Sequence, residues 1–219
     1  MPQLTRRRPS NPVRRSFAIF IGLAFMVPLL CSSSLSPDFL VVGIGDSITY
    51  GTPDPDLGWL PVLVRSAQGK IEAENGGIPG ARTDQMLQRV RASVGRPARL
   101  VFVMGGTNDI SQGVPTRAIV ANLRAILETV AGRGIPVVLL TIPPRTDPAF
   151  AAQTDALNRA IVALGASERV SVIDVYPALA TADRTYRPGL TLDGLHPSPA
   201  GYETIATVIR RDLRSPTLP

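Results

Sequence analysis

Five short apolar runs rich in β-branched residues, set apart by longer amphipathic segments, fix the kind of fold this chain can adopt. The runs are Phe39 to Gly45, Lys70 to Asn75, Arg99 to Met104, Pro136 to Ile142 and Val170 to Val175. Strands this far apart in sequence, with helical patterns between them, pair in parallel through crossover connections. Helices are predicted near Leu60 to Gln68, Thr83 to Val94, Thr116 to Ala131 and Ala149 to Leu164, with a last one from about Pro199 to Leu213. In the third, Ile119, Leu123, Ile126, Leu127 and Val130 recur every three or four positions, so that face is buried. Right-handed crossovers then give an α/β fold, a three-layer α/β/α sandwich around a five-stranded parallel sheet in the order 2-1-3-4-5. Ligands of such sheets lie beyond the carboxyl ends of the strands, at the switch point between the first and third.

Composition points elsewhere until it is located along the chain. Lys and Arg number 23 against 17 Asp and Glu, a formal net charge of +6, which by itself implies an anionic partner such as nucleic acid. Arg6, Arg7, Arg8, Arg14 and Arg15 all precede residue 36 with no acid among them; without these five, 18 basic side chains face 17 acidic ones. No nucleic-acid partner is therefore expected. The stretch up to about residue 16 is basic, residues 17–30 are apolar, and Cys31 to Ser34 are small and polar, the pattern of an export signal. Residues 1–36 are read as that signal and 37–219 as one domain, exported to the periplasm or secreted, with the export machinery as a partner. The apolar run is broken by Pro28 and shorter than the roughly 20 residues that span a membrane, which disfavours a retained anchor. Arg14-Arg15-Ser16-Phe17 resembles a twin-arginine signal, but Val13 precedes the pair where Ser or Thr is usual, so general secretion stays open. Cys31 would allow a lipid anchor, although Leu30 occupies the position that usually holds a small residue. One cysteine and one histidine, His196, leave no intramolecular disulfide and no Cys/His metal centre, so neither metal nor cofactor is expected.

Chemistry-bearing residues gather at the predicted strand ends. The first strand runs into Gly45-Asp46-Ser47-Ile48-Thr49 and the third into Gly105-Gly106-Thr107-Asn108-Asp109. Gly45 and Gly106 permit sharp turns that would present Ser47 and Asn108 to the crevice; Asp, Ser and Asn after glycine are equally ordinary helix caps. The second strand leads into Asn75 to Thr83, a glycine-rich loop with Gly80 near its end; it has neither the Lys-Ser/Thr ending of a P-loop nor dinucleotide-binding spacing. Before the last helix stands Asp193-Gly194-Leu195-His196-Pro197, where an aspartate three residues ahead can reach the imidazole Nδ1–H and leave Nε2 free as a base.

These four blocks, in this order and each at a predicted loop, resemble those of the SGNH hydrolases, also called the GDSL esterase/lipase family, over about Val41 to Ala206. The resemblance implies a serine hydrolase acting on carboxylic esters, with Ser47 as nucleophile, His196 as general base and acid, and Asp193 as orienting carboxylate. It implies an oxyanion hole made of the Ser47 and Gly80 backbone N–H groups and the Asn108 amide. Thr49 stands where the larger α/β-hydrolases have the second glycine of their nucleophile elbow, and the acid lies beside the histidine, both as in this family. Asp46 and Asp109 are expected to tie their own turns together. The loops Tyr50 to Trp59, Pro143 to Phe150 and Tyr176 to Leu192 are rich in Pro, Gly and Asp, which favours short-chain or carbohydrate esters, so a small-molecule or glycan ester is the expected substrate of a monomer. Trp59 is expected to pack under the first predicted helix, and Arg82, Arg145 and Arg187 to stand near the rim. An acyltransferase of the same family and a non-enzymatic carbohydrate or cell-envelope binding module remain as alternatives.

Overall fold

The computed structural model describes residues 39–68, 70–94 and 98–213. The expected export signal, residues 1–36 with Cys31, lies outside the described residues. Five parallel strands, β1 (Phe39–Gly45), β2 (Ile71–Gly77), β3 (Leu100–Met104), β4 (Val137–Leu140) and β5 (Ser171–Ile173), form one sheet in the order β2-β1-β3-β4-β5. The order is the one the crossover pattern predicts. Helices α3 (Thr83–Ser93), α5 (Thr116–Ala131) and α6 (Pro148–Glu168) pack in succession over one face, while α2 (Trp59–Ser66) and α8 (Pro199–Leu213) pack together on the other. All five apolar residues of the α5 stripe are buried, each such side chain contributing roughly 1.5–3 kcal/mol by leaving water.

Strand lengths follow from burial and from side-chain substitutes for the ladder. The three central strands carry unbroken apolar runs because both their faces are covered. Edge strand β2, with Glu72, Glu74 and Asn75, is only partly buried. Strand β4 is shorter than the predicted run to Ile142 because Asn158 on α6 takes over: its Oδ1 accepts from the Ile142 N–H and its Nδ2 donates to the Ile142 carbonyl, each at 2.9 Å. Beside it the Thr141 hydroxyl donates to Asp174 at 2.7 Å and accepts from the Val175 N–H at 3.0 Å, so β5 stops at Ile173 and not at the predicted Val175. Trp59, at the start of α2, is fully buried and meets Phe102 of β3 edge-on, ring centroids 5.6 Å apart; it is core, as expected.

Three one-turn helices not foreseen from periodicity complete the fold: α1 (Ser47–Tyr50), α4 (Thr107–Ser111) and α7 (Tyr176–Leu179). They are too short to show a 3.6-residue pattern, and two of them carry the residues of the site.

Candidate active site

Ser47 opens α1 immediately beyond the end of β1, and Asn108 is the second residue of α4 just beyond β3. Gly45 and Met104 are partners in the β1–β3 register, so these two helices start side by side at the switch point. Gly45 is required by close approach: a Cβ there would lie 2.0 Å from the Thr49 hydroxyl and 2.7 Å from the Met104 carbonyl. Gly106 is required by conformation as well, with φ of 120° and a Cβ position 2.5 Å from Leu157.

The aspartates of both blocks are buried and differ in what they hold. Asp46 caps α1, its Oδ1 accepting from the Ile48 N–H at 2.9 Å, as expected of a turn-tying residue. Its Oδ2 has no hydrogen-bond partner. Burial pushes its carboxyl up to about 6; the Ile48 bond and nearby His196 oppose the rise and Asp109 adds to it. Asp109 does not tie its own turn: its carboxylate accepts from the Thr83 N–H at 2.9 Å and the Thr83 hydroxyl at 2.6 Å, fastening the start of α3 to α4. Asn122 on α5 donates to the same hydroxyl at 3.1 Å. Thr83, Asn122 and the far reach of Asp109 are supports that local pattern did not reveal.

The loop between β2 and α3 is stapled on both sides. The Ile78 N–H and the Arg89 guanidinium both donate to the Gly45 carbonyl, at 3.2 and 2.7 Å, and Asn108 Nδ2 donates to the Ala81 carbonyl at 3.0 Å. That last bond uses one amide proton of Asn108, and among the described residues the second has no partner. Gly80 is exposed between these staples. At the first position of α1 the Ser47 N–H has no intrahelical acceptor. The three expected oxyanion donors thus stand on three adjoining segments held to one another.

Asp193 and His196 sit on a loop closed by an antiparallel bridge between Thr191 and Pro197. The Leu192 N–H and the Thr191 hydroxyl both donate to the His196 carbonyl, at 3.0 and 2.9 Å. Asp193 Oδ1 accepts from the N–H groups of Leu195 and His196, at 2.9 and 2.7 Å, and Oδ2 lies 2.7 Å from His196 Nδ1. On the other side of the ring, Nε2 lies 3.0 Å from Ser47 Oγ, across 149 positions of sequence. Burial would raise the Asp193 carboxyl, but hydrogen bonds from the His196 ring and from the two backbone N–H groups outweigh it and hold the group at about 2. An ionised Asp193 only accepts, so in the neutral imidazole Nδ1 carries the proton and Nε2 is left to accept from the Ser47 hydroxyl. Such an arrangement can deprotonate the serine as it attacks a carbonyl.

Of the three arginines expected at the rim, Arg82 is engaged by Asp84 at 2.9 Å and Gln112 at 2.7 Å, and Arg187 donates to the Pro177 carbonyl at 3.3 Å. Arg145 donates to Ser111 at 2.6 Å and lies 3.9 Å over the Phe150 ring. Among the described residues no group of three or more His, Cys, Asp or Glu is placed to hold a metal ion.

Residues 44–204 match the profile of the GDSL-like Lipase/Acylhydrolase family. The fold superposes with a TM-score of 0.73 on a protein assigned to the G-D-S-L lipolytic family from Desulfitobacterium hafniense DCB-2, 25% identical, over 79% of this chain and 98% of that one. A member of the lipolytic G-D-S-L family from Veillonella parvula DSM 2008 gives 0.70 at 24% identity, over 80% and 99%. An acetylxylan esterase from Geobacillus stearothermophilus, solved as a catalytic mutant, gives 0.70 at 18% identity, over 85% and 99%. No curated protein matches the sequence. With the five-stranded order, the four blocks at its carboxyl edge and a family match over most of its length, this chain belongs to the GDSL-like lipase/acylhydrolase family and is a hydrolase of ester bonds.

Proposed function

We propose that this protein is an exported serine esterase that cleaves short-chain or carbohydrate esters through an acyl-enzyme on Ser47. The observation that carries the reading is the hydrogen-bond chain from Ser47 Oγ through both nitrogens of His196 to Asp193. Ser47 Oγ attacks the ester carbonyl carbon while its proton passes to His196 Nε2, and the imidazolium so formed faces an ionised Asp193. The charge that develops on the carbonyl oxygen is met by the N–H groups of Ser47 and Gly80 and by the free amide proton of Asn108. His196 then gives its proton to the departing alcohol oxygen as the carbon–oxygen bond breaks. Water attacks the acyl-Ser47 by the same route in reverse, returning the acid and free Ser47.

Export is supported by the arginine-rich start and the apolar run behind it. The substrate class is supported by the Pro-, Gly- and Asp-rich loops around the crevice, and by a fold shared with an acetylxylan esterase. The test is hydrolysis of 4-nitrophenyl acetate by the protein beginning near residue 37. Turnover that disappears in Ser47→Ala is expected; undiminished turnover in that variant contradicts the assignment.

A further inference from the structure

We propose that the cleft between residues 145–148 and the loop 191–195 receives the alcohol part of the substrate, and that it selects a hydroxyl-rich alcohol, a sugar, with Arg145 as donor and Asp147 as acceptor. The proposal rests on the reading of Ser47 and His196 given above. A histidine that takes the serine proton must return it to the leaving oxygen, so the alcohol lies against the loop that carries His196. The oxyanion donors occupy the other segments, at the ends of β1 and β3 and after β2. The cleft, about 810 Å³, is bordered by Arg145, Thr146, Asp147 and Pro148 on one side and by Asp193, Gly194 and Leu195 on the other. Its walls are joined by the Thr146 N–H, which donates to the Gly194 carbonyl at 2.9 Å.

The lining has the chemistry of a hydroxyl-binding surface. Arg145 spends one Nη1 proton on Ser111 and rests on the face of Phe150, which fixes the plane of its guanidinium. Among the described residues it makes no ion pair, and its second Nη is left with protons to donate. Burial lowers its pKa, with Asp147 opposing the shift, as for a cation partly stripped of water beside a carboxylate. Asp147 Oδ1 accepts from the Ala149 N–H and starts α6, while Oδ2 remains open to accept. A donor fork and a carboxylate two residues apart can each bridge neighbouring hydroxyls. An anionic alcohol would meet the carboxylates of Asp147 and Asp193. A long alkyl chain would dehydrate Arg145 and Asp147 without replacing their hydrogen bonds.

The test compares two acetates that leave the same acetyl-Ser47: 4-nitrophenyl acetate, and a xylo-oligosaccharide bearing one acetyl group among free hydroxyls. kcat/KM stops at acylation, and the intrinsic reactivity of each leaving group is the same for every variant, so the change in the ratio of the two kcat/KM values from wild type to variant reads alcohol recognition. The ratio is also independent of the fraction of each preparation that is folded. Asp147→Asn keeps an oxygen to cap α6, and Arg145→Gln removes the guanidinium. The expected result is that the wild type deacetylates the oligosaccharide and that at least one variant lowers the ratio, sugar ester over nitrophenyl ester, by fivefold or more. Ratios within fivefold of wild type in both variants overturn the proposal. So does a wild type that hydrolyses nitrophenyl acetate and leaves the oligosaccharide untouched. Nitrophenyl acetate hydrolysis that survives in Ser47→Ala places the error in the reading of Ser47 instead.

Discussion

Ser47 and Asn108 stand on short helices at the carboxyl edge of the sheet, whereas Asp193 and His196 stand on a loop closed by its own antiparallel bridge. The sheet half is buried and held over long sequence distances: Asp109 reaches Thr83 across 26 positions, Asn108 reaches Ala81 across 27, and Arg89 reaches the Gly45 carbonyl across 44. The loop half is partly exposed and is held mainly by local bonds, with the Thr146 N–H on the Gly194 carbonyl as a tie from farther along the chain. Asp193 bonds to residues two and three positions away, and its side chain is 53% accessible to solvent. The two halves meet at the 3.0 Å contact between Ser47 Oγ and His196 Nε2. The contrast teaches that chemistry and stability are entangled on the sheet side and separable on the loop side.

That separation sets the size and kind of effect each substitution has. His196→Ala is expected to lower kcat/KM for 4-nitrophenyl acetate by about 10⁴-fold or more, since the other members of a triad do little without the base. Its melting temperature should stay within about 2 °C of wild type, because the His196 backbone bonds that close the loop survive. Unfolding of this variant would break the comparison. Asp109→Ala should do the reverse. It strands the Thr83 N–H and hydroxyl in a buried place and is expected to cost about 3 kcal/mol in urea unfolding, with a smaller loss of activity as the loop before α3 loosens.

A further effect is one of pH. Asp46 has its carboxyl pushed up to about 6 in the folded state from an ordinary 3.8, so folding favours its protonated form. Its contribution is fully present below about pH 4 and is lost as the pH rises to about 6. Asp46→Asn keeps the capping oxygen for Ile48 and has no charge to bury. The wild type should therefore lose melting temperature relative to this variant between those two pH values, and a constant difference across them would show that Asp46 is not desolvated as its burial requires. Asp193 works with the opposite sign. Held at about 2, it supports the fold above about pH 4 and ceases to as the pH falls toward 2, weakly because solvent screens it.

Fold and site were legible in the sequence to different degrees. Strand order follows from the alternation of short apolar runs with amphipathic segments, because handedness leaves few other ways to wind such a chain. The α5 stripe follows from its own three- and four-residue spacing, and the burial of Trp59 from a large aromatic ring set beside the first predicted helix. The candidate site residues stand out as four short blocks at loops, and their sequence alone carries the family resemblance. What stayed hidden are contacts between distant positions. Asp109 looks like a turn residue until Thr83 is seen beside it, and nothing near Asn158 announces that its amide ends β4 at the Ile142 peptide. Arg82 and Arg145 look alike in the sequence; Asp84 and Gln112 engage the first, whereas among the described residues the second bonds the neutral Ser111 hydroxyl and lies over the ring of Phe150. Short helices α1 and α4 escaped for another reason: their starts are set by glycine and a buried aspartate at strand ends, not by an apolar stripe.

If His196 makes Ser47 nucleophilic, mass spectrometry of the protein after exposure to a fluorophosphonate will show it. One adduct is predicted, on the peptide that contains Ser47, absent in Ser47→Ala and formed far more slowly in His196→Ala. An adduct on a different residue, or labelling of Ser47 at an unchanged rate without His196, would contradict it.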